Sequence, residues 1–266
     1  MSEHNPTYLY KYRPVTDTKN LKDDLNLKAL FSCEAVFSGR KAFNDLFDSK
    51  VHFIKPTPRQ FKALIQQSNG KTATKLKKFI AKGKFTYEGD MYVMKETEKL
   101  NNLIDSYRFY CFSANPVSNL MWSHYADCHR GFCIEFKWDY FKPDKIDYAD
   151  QIPEFDLIKF FGLELRENSN TGIEIWNCLR TKLNEWRYEE EYRFQASNAM
   201  REFGIPIESN TEIEKYLYPQ DAVESIIFGC KMPASTKKFI KDEIPFKVKF
   251  KQAKELKSSI QIVDDE

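Results

Sequence analysis

The chain has 266 residues with 41 Lys and Arg against 39 Asp and Glu, a net charge of +2, so it is highly charged yet balanced and lacks the basic excess of a dedicated nucleic-acid binder. It is long enough to bury a substantial core and no long linker divides it, which points to one elaborated domain over 1–266, with two small domains as the alternative. Six cysteines without a C-x-x-C pair, an N-terminus without an apolar leader core, and no apolar run near the roughly 18 to 20 residues that span a bilayer point to a reduced, cytoplasmic protein with no membrane partner.

In chain order, Tyr8-Leu9-Tyr10-Lys11-Tyr12-Arg13 alternates and stops at Pro14, predicting a strand whose Lys11 and Arg13 share one face. A leucine-spaced helix follows near Leu21 to Leu30, then a short strand at Glu34–Phe37 and a turn-rich stretch at Phe43–Asp48. From Arg59 to about Lys84 a helical pattern carries Lys71, Lys75, Lys77, Lys78, Lys82 and Lys84, and a further helix is expected over Met94–Ser106. Together they read as a basic helical insertion around 56–106. Its lysines fit a solvated face or, alternatively, contact with a nucleic acid or an acidic partner.

The segment Cys111–Lys137 concentrates chemistry. Tyr107–Phe112 reads as a strand, Ser118 as the cap of a helix running to about Cys128, and Phe132–Phe136 as a strand released by Gly131. His124 and His129, five apart, stand about 140° apart on a helix and do not chelate one metal from one face. No cysteine near them completes a zinc spacing, so no metal site is assigned. Trp122 and Tyr125 fit either a core or a ligand stack.

Downstream, Ile146–Tyr148 resembles a strand, and helices are expected over Phe155–Arg166 and Gly172–Asn184. Trp186–Phe194 then reads as one strand, with Glu189, Glu191 and Arg193 on one face and Tyr188, Glu190, Tyr192 and Phe194 on the other. Such a face serves a surface ion-pair ladder, or it presents a carboxylate to a ribose hydroxyl or a developing oxocarbenium ion. Val223–Gly229, Lys247–Phe250 and Ser259–Val263 supply three more strands.

Five blocks, Leu9–Arg13, Phe43–Asp48, Cys111–Ser113, Met121–Phe132 and Trp186–Arg193, together resemble a widespread bacterial family of unknown function. Their layout is more distantly similar to that of the ADP-ribosyltransferase superfamily. That resemblance implies an α+β fold with a curved, split mixed β-sheet of about six to eight strands flanked by helices. It also implies an ADP-ribosyltransferase-like glycosyltransferase with NAD as substrate and a macromolecular acceptor, protein or nucleic acid, or else NAD hydrolysis, in toxin or phage-defence biology. Carried over position by position, Glu191 or Glu189 is the catalytic carboxylate. Lys11, Tyr12, Arg13, Ser113, Trp122, His124 and Tyr125 are the NAD-binding residues. Lysine stands where the superfamily has histidine or arginine, and cannot offer arginine's bidentate fork. Two other readings stay open: a magnesium-dependent nuclease using Asp127, Glu135 and Lys137 in a loose D…E-x-K arrangement, and a non-catalytic nucleotide or protein sensor.

Overall fold

The computed structural model describes residues 5–67, 70–164 and 171–265. They form two compact units, one built from Met1–Ala42, Arg108–Ile146 and Glu185–Glu266, the other from Phe43–Tyr107 and Asp147–Asn184. The fold class is α+β, with a large mixed sheet and flanking helices.

The first unit holds an eleven-stranded sheet. Its strands are β1 (Tyr8–Arg13), β2 (Glu34–Ser38), β3 (Phe109–Ser113), β4 (Phe132–Lys137), β5 (Asp144–Lys145), β6 (Glu191–Gln195), β7 (Glu208–Ser209), β8 (Ile213–Leu217), β9 (Val223–Phe228), β10 (Lys249–Glu255) and β11 (Ile260–Asp264). The order is β7-β8-β2-β3-β1-β4-β9-β10-β11, with β6 paired to β3 and β5. Neighbours are antiparallel except β9 and β10, which run parallel and are joined through the helix Ala234–Glu243, as a parallel pair requires.

Alternation sorts β1 onto two cores. Leu9 packs with Phe37, Tyr110, Phe112, Phe136 and Phe194, while Tyr10 and Tyr12 pack with Met121, Trp122, Cys133 and Ile227 on the other side. Phe141 is a hub of the first core, its ring 4.9 Å from Phe112, 5.1 Å from Phe136 and 5.5 Å from Phe194 in edge-on geometry. Strand β4 is buried on both faces from Phe132 to Phe136, so its sequence FCIEFK lacks the alternation of a half-exposed strand.

The element that governs the site is β3. Along one edge it pairs with β6 over five residues, from Glu191↔Ser113 to Gln195↔Phe109. Along its other edge it is pinned only at its ends, by Ser38↔Phe109 and Tyr10↔Ser113. Between these pins no described strand completes the ladder, and the sheet is open.

The second unit is mainly helical, with Pro58–Gln67, Gly70–Lys77, Tyr87–Ser106, Leu157–Glu164 and Thr171–Leu179. Its strands form three pairs: Glu154–Asp156 with His52–Ile54, Thr181–Leu183 with Asp147–Ala149, and the hairpin Ile80–Ala81 with Lys84–Phe85. Phe61 centres its core, 5.4 Å from Phe85 and 5.7 Å from Phe161. Lys182 and Asp48 form a buried ion pair at 3.3 Å, which gives the Phe43–Asp48 stretch its anchor.

Several expectations are refined. The single helix expected over Arg59–Lys84 is two helices and a hairpin, and 56–106 is grouped with 147–184 in the second unit. The helix expected from Met94 starts at Tyr87, capped by Thr86. The helix expected to reach Asn184 ends at Leu179 and gives way to Thr181–Leu183; the one expected over Phe155–Arg166 is preceded by a short strand and is described only to Glu164. The strand Ile213–Leu217 was not anticipated, and the sheet has more strands than the six to eight expected.

Two glycines permit close backbone approach. A Cβ on Gly131 would lie 2.2 Å from the Arg13 carbonyl oxygen, and one on Gly229 would lie 2.2 Å from that of His129. Both border the turn Asp127-Cys128-His129, whose three residues are all left-handed, with φ of 47°, 50° and 71°. Gly131→Ala is expected to destabilise the protein by about 3 kcal/mol through this backbone clash, read as a lowered urea midpoint at unchanged slope; an unchanged midpoint would contradict the packing described.

Candidate functional site

The gap in the ladder beside β3 is where Lys11, Arg13, Glu189 and Glu191 come within electrostatic reach of one another. With no strand partner on that edge, the Cys111 carbonyl accepts a hydrogen bond from Lys11 Nζ at 2.7 Å. The same ammonium lies 4.5 Å from the centre of the Tyr110 ring, and the Arg13 guanidinium 5.8 Å from it, so Lys11 and Arg13 do share a face, and cation–π attraction helps seat both. Burial pushes the Lys11 pKa down to about 7, and Arg13 adds to the shift, while the charges of Glu191 and Glu189 oppose it.

The segment expected as one strand over Trp186–Phe194 is divided. Asn184–Glu189 forms a 3-10 turn and β6 begins at Glu191. Glu190, left-handed at φ 45°, makes the break. Glu189 and Glu191 are therefore not neighbours along one strand face as the two-residue period implied. Instead a turn and a strand end bring both into the interior, each 4% exposed.

Each carboxylate has compensation. Tyr125 donates its hydroxyl to Glu189 Oε1 at 2.6 Å. Arg193, fully buried, donates Nε to Glu191 Oε1 at 2.6 Å, and its guanidinium lies 5.5 Å from the Phe109 ring centre. Buried charges persist only when paired in this way. The intervening Glu190 turns outward and accepts from Asn115 Nδ2 at 2.8 Å, while its carbonyl accepts from Ala114 N at 3.0 Å.

Ser113 is the residue at which β1 and β6 both meet β3. It is buried, and its hydroxyl accepts from Asn115 N at 3.0 Å. Its hydrogen bonding is thus spent on the turn that carries the chain toward the next helix. That helix, Asn119–Tyr125, is capped by Ser118. It aims Tyr125 at Glu189 and places the exposed His124 against Tyr188, with Nδ1 3.0 Å from the phenol oxygen.

The other residues singled out from the sequence sit elsewhere. Tyr12 is buried on the opposite face of β1 from Lys11, donates to the Asn115 carbonyl at 2.6 Å, and meets Trp122 edge-on at 5.0 Å. Trp122 is fully buried and donates to the Pro116 carbonyl. These two rings support the Asn115–Pro116 turn from beneath. His129 contacts Ser123 at 3.1 Å.

The residues of the nuclease alternative have separate partners. Asp127 pairs with Arg130 through two hydrogen bonds, Glu135 is buried among Tyr10, Ser225 and Lys251, and Lys137 lies 3.7 Å from Glu224. Among the described residues no group of three or more His, Cys, Asp and Glu is arranged to hold a metal ion, and no helix is long and apolar enough to cross a membrane.

The contributions that sequence reading missed are Tyr110, Tyr188 and the Cys111 carbonyl. Tyr110 and Tyr188 stood in aromatic segments read only as strands, Tyr188 on the face away from Glu189 and Glu191, and a main-chain carbonyl has no sequence signature.

Residues 121–194 match the model of a family described as Protein of unknown function (DUF2971). The matched stretch takes in Trp122, His124, Tyr125, Glu189, Glu191 and Arg193 and lies outside Lys11 and Ser113. It supports the resemblance to a family of unknown function expected from the sequence blocks. No curated protein and no solved structure matches the chain.

The depressed pKa of Lys11 has a thermodynamic consequence. Between about pH 7 and its unfolded value near 10.4, the unfolded chain holds a proton at Lys11 that the folded chain does not. Stability contributed by this group therefore rises with pH across that window. Lys11→Met is expected to flatten the rise in urea midpoint between pH 7 and pH 10; an identical pH profile in the variant would show that Lys11 titrates normally.

Proposed function

We propose that the opening beside β3 is an NAD site and that the protein cleaves the nicotinamide–ribose bond, transferring ADP-ribose to a macromolecule or to water. The observation that carries this reading is the convergence of a half-buried lysine with two buried, separately compensated carboxylates at one break in the sheet. It agrees with the distant ADP-ribosyltransferase likeness of the sequence blocks, in which a basic residue, a serine and a late glutamate come from three strands of a split sheet.

The chemistry is electrostatic. As the C1′–N bond breaks, its electron pair leaves with nicotinamide and positive charge grows on the ribose. A fixed carboxylate nearby stabilises that charge without reorganising. Glu189 and Glu191 both qualify, one fixed by Tyr125 and the other by Arg193. Lys11 and Arg13 supply the positive charge that a pyrophosphate needs. The acceptor's nucleophilic atom then bonds to C1′ and loses its proton. Tyr125, Tyr188 and His124 line the approach to Glu189, while Tyr12 and Trp122 hold the turn beneath it.

The test is incubation of the purified protein with NAD labelled in the nicotinamide and, separately, in the adenine. Nicotinamide release that persists in EDTA and falls at least a hundredfold in either Glu189→Gln or Glu191→Gln is the expected result. Release that is undiminished in both variants, or that requires a divalent ion, would refute the reading. Binding of NAD without release would favour the sensor alternative.

A further inference from the structure

The second unit contains a cavity of about 650 Å³ between the helix Pro58–Gln67 and the hairpin that follows Gly70–Lys77. Four cations line it: Arg59, Lys62, Lys77 and Lys82. Among the described residues, none that lines the cavity is acidic and none of the four cations has a carboxylate partner. By contrast Lys78, next to Lys77 and outside the lining, is paired with Glu88 at 3.1 Å. The floor is aliphatic, formed by the buried Ile65 and the half-buried Ile80, and Gln66 contributes an amide.

The backbone of the hairpin adds a second observation. Lys82 and Gly83 are both left-handed, with φ of 52° and 73°, as in a two-residue turn that strongly prefers Asn-Gly or Asp-Gly. Lysine at its first position is unfavourable for the backbone and sets a cation at the cavity wall. The four cations are exposed, and together they give one concavity a positive potential that attracts an anion. The volume falls within the range of small-molecule sites.

We infer that this cavity binds a small polyphosphate ligand of the nucleoside triphosphate class. The four cations match the several charges of a triphosphate, the aliphatic floor takes the apolar face of a base, and the Gln66 amide is suited to a base edge. Single-stranded nucleic acid is disfavoured, because the described residues of the lining include no aromatic ring on which bases would stack, and the chain as a whole is nearly neutral. The inference is independent of the NAD reading, since every residue in it belongs to the second unit.

Calorimetric titration of the whole protein with ATP, ADP, AMP, inorganic tripolyphosphate and a short single-stranded oligonucleotide tests it. Affinity is expected to fall in the order ATP, ADP, AMP, with tripolyphosphate competing for the same site. The double substitution Lys62→Gln with Lys77→Gln is expected to weaken ATP at least tenfold, while Lys78→Gln leaves it unchanged. The double variant and Lys78→Gln should melt at the same temperature as the parent without ligand, because these side chains are exposed. Absence of ATP binding, equal affinity in the double variant, or affinity for the oligonucleotide that exceeds ATP and grows with its length would overturn the assignment.

Discussion

A strand in a sheet must find partners for the main-chain groups on both its edges, and β3 has a full ladder on only one. The pairs at Phe109 and Ser113 hold the free edge at its two ends, and the Lys11 ammonium satisfies the Cys111 carbonyl between them. A side chain thus does what a neighbouring strand does elsewhere in the sheet. The opening can exist because that cation reaches it, and the cation is drawn into partial burial as a result.

Burial of Lys11 then depends on nearby negative charge. Glu189 and Glu191 provide it, and each is itself stabilised by a local donor, Tyr125 or Arg193. No member of this group is favourable alone, since an isolated charge in the interior costs several kcal/mol. Together they form a preorganised charge arrangement at a place where the main chain is incompletely paired. Such arrangements are more often tied to ligand recognition than to stability, because an apolar cluster of equal volume would stabilise at least as well.

Much of this arrangement was legible from the sequence. Alternation alone identified β1 and set Lys11 and Arg13 on one face, and Ser118 marked the helix that carries Tyr125. The late segment was only half legible. Its aromatic and charged residues alternate well enough for a strand through Trp186–Phe194, yet the chain coils into a 3-10 turn before Glu190 and only then extends. No glycine or proline marks that break, so the convergence of Glu189 with Glu191 comes from tertiary structure rather than from period. The hairpin at Lys82-Gly83 was hidden for a related reason, because lysine is uncommon in its turn and extends the apparent helical charge pattern. Strand β8 carried no such signal, because Ile213-Glu214-Lys215-Tyr216-Leu217 does not alternate apolar with polar and Tyr216 is the one buried residue among its five.

The central claim is that Lys11 belongs to an anion-responsive cluster at the open edge of β3. The most direct measurement is the titration of the Lys11 amine, followed by NMR after isotopic methylation and assigned with Lys11→Arg, without and with NAD. The account predicts a pKa near 7 in the free protein and an upward shift when NAD is bound. A value near that of an ordinary lysine, unmoved by NAD, would contradict it.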